Sequence, residues 1–176
     1  MTYRFLFRVI FFTLALTLVL FRVSTATAQE APVLLTIHPA DGSEPVKLKD
    51  DDLMAMEQES FVTSTLWTKG TNEFSGPSLH DVLTQAGARE PFAIKLVAAN
   101  DYSAPIGPEL IDETYPIIAN RIDGKRFSIR EKGPLWIMYP FDSGTGYKRE
   151  VNYSASVWQL TEIWMTGPDQ DMSDAN

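Results

Sequence analysis

Apolar residues fall along the chain in short runs, separated at close intervals by turn residues. Val33 to Ile37 and Val46 to Leu48 are two such runs, and Asp41-Gly42 between them is a tight-turn pair, so both read as short strands. Asp50-Asp51-Asp52 ahead of Leu53, Met54 and Met56 marks a helix start. Acidic side chains there accept from free N–H groups and favour the positive end of the dipole. Phe61 to Trp67, FVTSTLW, alternates apolar and hydroxyl residues, the period of a half-buried strand. Thr68 to Gly76 is polar and is expected as a loop. Ser78 to Ala86, SLHDVLTQA, has the spacing of a short helix. Ser78 caps it, Asp81 stands at the capping-box position, and Leu79, Val82, Leu83 and Ala86 share one face, with Gly87 as the stop. His80 lies off that face and is expected on the surface. Phe92 to Ala99 reads as a strand, Asn100–Tyr102 as a turn and Pro105–Asp112 as a loop with one helical turn. Pro116–Ile122 and Lys125–Ile129 read as two strands joined at Asp123-Gly124.

The densest stretch runs from Gly133 to Met165 and holds three of the four tryptophans, Trp136, Trp158 and Trp164. Its two apolar runs, Leu135–Tyr139 and Val157–Met165, bracket a polar, glycine-bearing loop, Asp142–Arg149, which is how a rigid scaffold presents a site. Many short strands with few helices predict an α+β domain, mainly antiparallel β with short helices. The expected core is Leu66, Leu79, Val82, Leu83, Ile94, Leu96, Ile117, Ile118, Leu135, Ile137, Val157, Leu160 and Ile163.

The first 28 residues read differently. Arg4 and Arg8 precede an apolar run, Val9–Phe21, and Ala26-Thr27-Ala28 supplies small residues at cleavage-site spacing. This is the pattern of a secretory signal peptide cut between Ala28 and Gln29. The run falls short of the ~20 residues that span a bilayer, so a periplasmic or secreted product is expected, not an integral membrane protein. Residues 29–166 form one expected domain, and the acidic tail 167–176 is expected to be disordered.

Composition narrows the chemistry. The chain has no cysteine, which excludes disulfides, thiolate nucleophiles and Cys-ligated metals, and its two histidines, His38 and His80, are too few for a zinc site. The formal charge is −8. Loss of Arg4, Arg8 and Arg22 with the leader would take it to about −11. Such a protein repels nucleic acid and anionic membranes. The three aspartates at 50–52 lack the alternate spacing and central glycine of a calcium loop. Asp142-Ser143-Gly144-Thr145 matches the short signature of aspartic proteases, but that chemistry needs a second carboxylate sharing a proton, and the chain has no second copy. Two readings of the loop Ser143–Arg149, SGTGYKR, stand side by side. Its glycines and Lys148-Arg149 suit an anion, or they merely make a solvated turn.

Five further segments occur in a telling order: FSGPSLHDVLTQAGA, IKLVAANDYSAPI, YPIIANRIDGKRF, GPLWIMYPFD and SVWQLTEIWM. Together they resemble the oxidoreductase molybdopterin-binding domain, the sulfite oxidase-type fold. The shared features are a G-x-x-L-x-x-x-L helix, a D-Y turn after a strand, an A-x-R-x-D-G hairpin and a G-P-L strand, spread over roughly residues 60 to 165. The resemblance implies the fold. In the family's catalytic members it also implies a cysteine thiolate on molybdenum, placed before the F-x-G helix. Here that region reads FVTSTLWTKGTNE, and the hydroxyls of Thr65 and Thr68 are hard ligands that stay protonated.

The expectation that follows is an exported, non-catalytic domain that binds a small anionic or aromatic ligand, or an exported or membrane partner protein, with no cofactor. The alternative is a molybdopterin-dependent oxidoreductase with a non-cysteine ligand set. By the resemblance, a ligand or cofactor would lie at the loops Asn100–Tyr102 and Asp142–Arg149, beside Trp67–Thr71. The candidate contacts are Trp67, Lys69, Asp101, Tyr102, Arg121, Tyr147, Lys148 and Arg149. The cations would gather positive charge, and the rings would offer flat faces.

Overall fold

Three sheets of different size divide the strands. The computed structural model of the chain describes residues 30–166; the expected signal peptide and acidic tail lie outside the described residues. The largest sheet has the order β2-β1-β10-β5-β6, built from β1 (Val33–His38), β2 (Val46–Lys49), β5 (Ile94–Ala98), β6 (Ser103–Ile106) and β10 (Leu160–Met165). Its pairings are antiparallel except β1 with β10, which run parallel with Thr36 opposite Glu162 and His38 opposite Trp164. A second sheet joins β3 (Glu59–Ser64), β4 (Thr71–Gly76) and β8 (Arg121–Ile122), and a third pairs β7 (Ile117–Ala119) with β9 (Trp136–Met138). The helices are short: α1 (Asp50–Ala55), α2 (Leu79–Gln85) and α3 (Glu150–Ala155). The result is a mixed α/β fold with mostly antiparallel sheets. Among the described residues no helix is long and apolar enough to cross a membrane.

One core unites these elements. Leu35 and Ile37 of β1, Ile163 of β10, Ile94 and Leu96 of β5 and Ile106 of β6 line the inner face of the large sheet. Leu79, Val82 and Leu83 of α2 are fully buried in the same cluster. Each such side chain contributes roughly 1.5–3 kcal/mol by leaving water. The Ser78 hydroxyl accepts from Asp81 N at 3.0 Å, and Gly87 takes φ +89°, so α2 is capped at both ends as its sequence predicts. β7 and β9 are buried on both faces, which explains why PIIA and LWIMY are continuous rather than alternating apolar runs. Asp123 and Gly124 both have positive φ, the twist that a two-residue hairpin needs, and Ile122 and Lys125 exchange both backbone hydrogen bonds across it.

Several sequence expectations need correction. The strand at Phe61–Trp67 stops at Ser64, because the Thr65 hydroxyl accepts from Trp67 N and Thr68 N and turns the chain. Leu66, expected in the core, rides on that turn and is 72% exposed. Within β3 the buried residue is Thr63, while Val62 faces solvent. The polar segment Thr71–Gly76 is a strand, paired residue for residue with β3; only Phe74 anchors it in the core. Lys125–Ile129 does not return as a strand. Ser128 N and Oγ donate to Glu131, a capping box that starts a 3-10 turn at Ile129–Glu131. Pro105 and Ile106, expected at the start of a loop, end the strand Ser103–Ile106, and α3 has no counterpart among the expected elements.

Candidate functional site

The turn at Thr65 organises the region where the resemblance would place a thiolate. The Thr65 and Thr68 hydroxyls lie 2.8 Å apart and bond each other, and Thr65 also serves two backbone N–H groups. The Thr63 hydroxyl is buried and accepts from Asp142 N at 3.0 Å. The turn sends the half-buried Trp67 inward, where its ring packs edge-on against Trp136 at 5.8 Å and Tyr153 at 6.0 Å, and tilted against Phe141 at 6.4 Å. Phe141 and Tyr153 stack at 4.7 Å. A continuous aromatic cluster therefore fills the space beside the three threonines.

The loop Asp142–Arg149 is bound into the same scaffold. Asp142 accepts from Ser64 N at 2.6 Å and pairs with Lys148 Nζ at 2.9 Å. Tyr147 N and Lys148 N donate back to Gly144 O and Thr145 O, so these N–H groups close turns instead of facing a ligand. Arg149 Nε donates to Asn152 Oδ1 at the start of α3. Of the two readings of this loop, these bonds describe the turn: Lys148, Arg149 and the Tyr147 and Lys148 amides have internal partners.

The Lys148 ammonium and then Ser64 N hold the Asp142 carboxyl well below the usual carboxylate range. A carboxyl with a depressed folded pKa adds stability above its unfolded value, about 4, and loses it as pH falls through the folded value. Asp142→Asn should therefore lower stability at neutral pH and flatten its fall between about pH 4 and pH 2. Urea unfolding across that window checks both; parallel curves for the two proteins would remove Asp142 from the account.

The remaining candidates separate. Trp67 and Tyr102 both reach α3, at neighbouring residues: Trp67 packs on Tyr153, and the Tyr102 hydroxyl donates to Ser154 O at 3.1 Å. Tyr147 packs elsewhere, between Tyr115 and Tyr139. Asp101 sits at φ +65° and donates its N–H to Ala98 O, a turn role. Arg121 does not join the loop cations. Both of its terminal nitrogens lie 2.8 Å from the Asp50 carboxylate, which also binds Arg126. Arg121 chiefly, then Arg126, holds Asp50 below the ordinary carboxylate range.

Positive charge does converge, at a place that the sequence reading named only in part. Trp67 and Lys69 line a surface depression of about 570 Å³ together with Lys125, Arg126, Arg130 and Lys132. These last four come from the hairpin and the 3-10 turn that follow β7. The missed signal was a run: residues 121–132, RIDGKRFSIREK, carry five of the chain's fifteen Lys and Arg.

The fold and these loops define a mixed α/β domain, mostly antiparallel, with an aromatic-filled interior beside a basic depression. No family model matches the chain, and no curated protein matches it in sequence. Among solved structures it is similar to the sulfane dehydrogenase SoxCD from Paracoccus pantotrophus, with a TM-score of 0.56 and 16% identity. The match covers 75% of this chain and 37% of that one, so this chain spans well under half of the neighbour's length. At that identity the likeness shows the fold alone.

The residues present do not fit a molybdenum centre of the kind that the resemblance implies. No thiolate exists, and the hydroxyls in its place are neutral, hard donors already committed to protein hydrogen bonds. Among the described residues no group of His, Cys, Asp or Glu is arranged to hold a metal.

Proposed function

We propose that this chain is an exported, non-catalytic relative of the molybdopterin-binding oxidoreductase domains, and that it binds a small anionic ligand instead of turning over a substrate. One observation carries the reading. Where the resembling family presents a metal-ligating thiolate, this chain has a threonine turn, with the Trp67 ring packed against Trp136, Phe141 and Tyr153. Replacing the first coordination shell removes the metal itself, not only its tuning. The likeness to SoxCD supports the fold on which the reading rests and says nothing of ligand or compartment. Export rests on the leader pattern of residues 1–28.

The reading is tested by expression in a host that makes molybdopterin. The purified protein should carry far less than one molybdenum per chain by mass spectrometry, and acid extraction should release no fluorescent pterin. Molybdenum near one per chain would overturn it, and the replacement ligand would then be sought between Thr63 and Thr71.

A further inference from the structure

We propose that the depression bounded by Lys69, Lys125, Arg126, Arg130 and Lys132 is a binding site for a compact multivalent oxyanion. This inference rests on the reading of the chain as a binding domain and gives its ligand a place and a charge class.

The charge of the depression is opposite to that of the protein. Five cations line it on a chain whose formal charge is −8. Two exposed carboxylates share the lining, Asp123 and Glu131, and each is hydrogen-bonded to a nearby backbone N–H. Asp123 accepts from Glu73 N at 3.0 Å and from Asn72 Nδ2 at 3.2 Å. Glu131 accepts from Ser128 N and Oγ, each at 2.9 Å. These donors keep both carboxyls ionised below their usual range and hold them in fixed positions. Neither reaches ion-pair distance of a lining cation; the described ion pairs of the depression are those of Arg126 with Asp50 and Asp51. Lys69, Lys125 and Arg130 have no carboxylate within that distance among the described residues. Lys132 lies over the Trp158 ring, 3.5 Å from its centroid, which fixes the ammonium without cancelling its charge.

The class of ligand follows from number and spacing. Charges closer than a Debye length, about 8 Å in physiological salt, act on one anion together, and five cations line this one depression. A monovalent anion uses that field poorly, whereas an anion with two or more charges uses it several times over. Arg130 brings a planar fork suited to phosphoryl or carboxylate oxygens, while Arg126 is already tied to Asp50. The volume suits a small molecule. A long polyanion is repelled by the net charge of −8, which selects against nucleic acid while the depression attracts a compact ligand.

Calorimetric titration at low and physiological salt tests this, with pyrophosphate, tripolyphosphate and citrate as probes and orthophosphate as the monophosphate reference. Saturable binding of pyrophosphate is expected, tighter than orthophosphate by roughly tenfold and weakened by salt. Lys69→Ala combined with Arg130→Ala should weaken it by roughly tenfold more. Lys47→Ala, on β2, should leave it unchanged, and melting curves should show all variants folded. Pyrophosphate and tripolyphosphate binding without citrate would assign a phosphoryl ligand, and the reverse a polycarboxylate. No saturable heat with any probe at millimolar concentration, or full affinity in the double variant, would overturn the site. A protein that carries molybdenum yet binds pyrophosphate at these residues would overturn the functional reading and keep this one.

Discussion

Gly76→Ala should destabilise the domain by about 3 kcal/mol, the upper end for overpacking, although it adds one methyl group. Gly76 ends β4, opposite Glu59 of β3. A Cβ built there overlaps the Ile118 carbonyl oxygen and lies 2.7 Å from its carbon. Both atoms are backbone, so no rotamer relieves the overlap. The neighbouring bonds fix the approach: Asn120 N donates to Ser75 O at 3.0 Å, and Ile118 N to Pro77 O at 2.9 Å. Admitting the methyl means moving β7 away from β4 and weakening both bonds. Ile118 is itself fully buried, so the shift propagates into the core. For a domain near 150 residues the loss reads as a fall in melting temperature of roughly 10 °C. A fall of only a degree or two would show that β7 moves freely. Gly42→Ala is a useful contrast: nothing lies within 4 Å of its Cβ, so its cost is that of a positive φ alone.

That glycine shows how far the sequence could be read. Its place in FSGPSLHDVL was legible as the entry to a capped helix, since capping chemistry and helical spacing are local. The strand contact that requires it is not local, and neither is the pairing that makes TNEFSG a strand. A polar segment has no periodic signal of its own; it is a strand because β3 and β8 lie on either side of it. Leu66 failed for the opposite reason. Its neighbours carry a strand pattern, but the Thr65 hydroxyl captures two N–H groups that a ladder would have used.

The candidate site was legible in its composition more than in its geometry. Trp67 and Lys69 line one depression. Lys148, Arg149 and Arg121 were named for their charge, and each has a partner that sequence spacing does not reveal: Asp142, Asn152 and Asp50. Lys125, Arg130 and Lys132, which have no ion pair among the described residues, lie instead in RIDGKRFSIREK, around the Ser128–Glu131 capping box. Reading charge from sequence counts residues, whereas a field depends on which carboxylates are spoken for.

Trp136→Ala should have the largest effect on stability, a loss of about 3–5 kcal/mol from the vacated space alone. Trp136 is 1% exposed and stands where the two halves of the aromatic cluster meet, edge-on to Trp67 and to Phe74, each at 5.8 Å. Its Nε1–H donates to Ser156 O at 3.1 Å in a buried position, so truncation also leaves a carbonyl without a donor. Trp136→Phe largely separates the two terms, because it keeps a six-membered ring in the space and removes the hydrogen bond with a smaller cavity; its cost should be near 1–3 kcal/mol. The cavity in Trp136→Ala is lined by rings on one side and by the Ser156 carbonyl on the other, which is the shape and polarity of indole. Added indole should therefore raise the melting temperature of Trp136→Ala and leave that of the wild type unmoved, since a ligand stabilises the state that binds it. If Trp136→Ala proves as stable as Trp136→Phe, Trp67 and Phe74 have collapsed into the space, and the filled interior beside the threonine turn is more plastic than its packing implies.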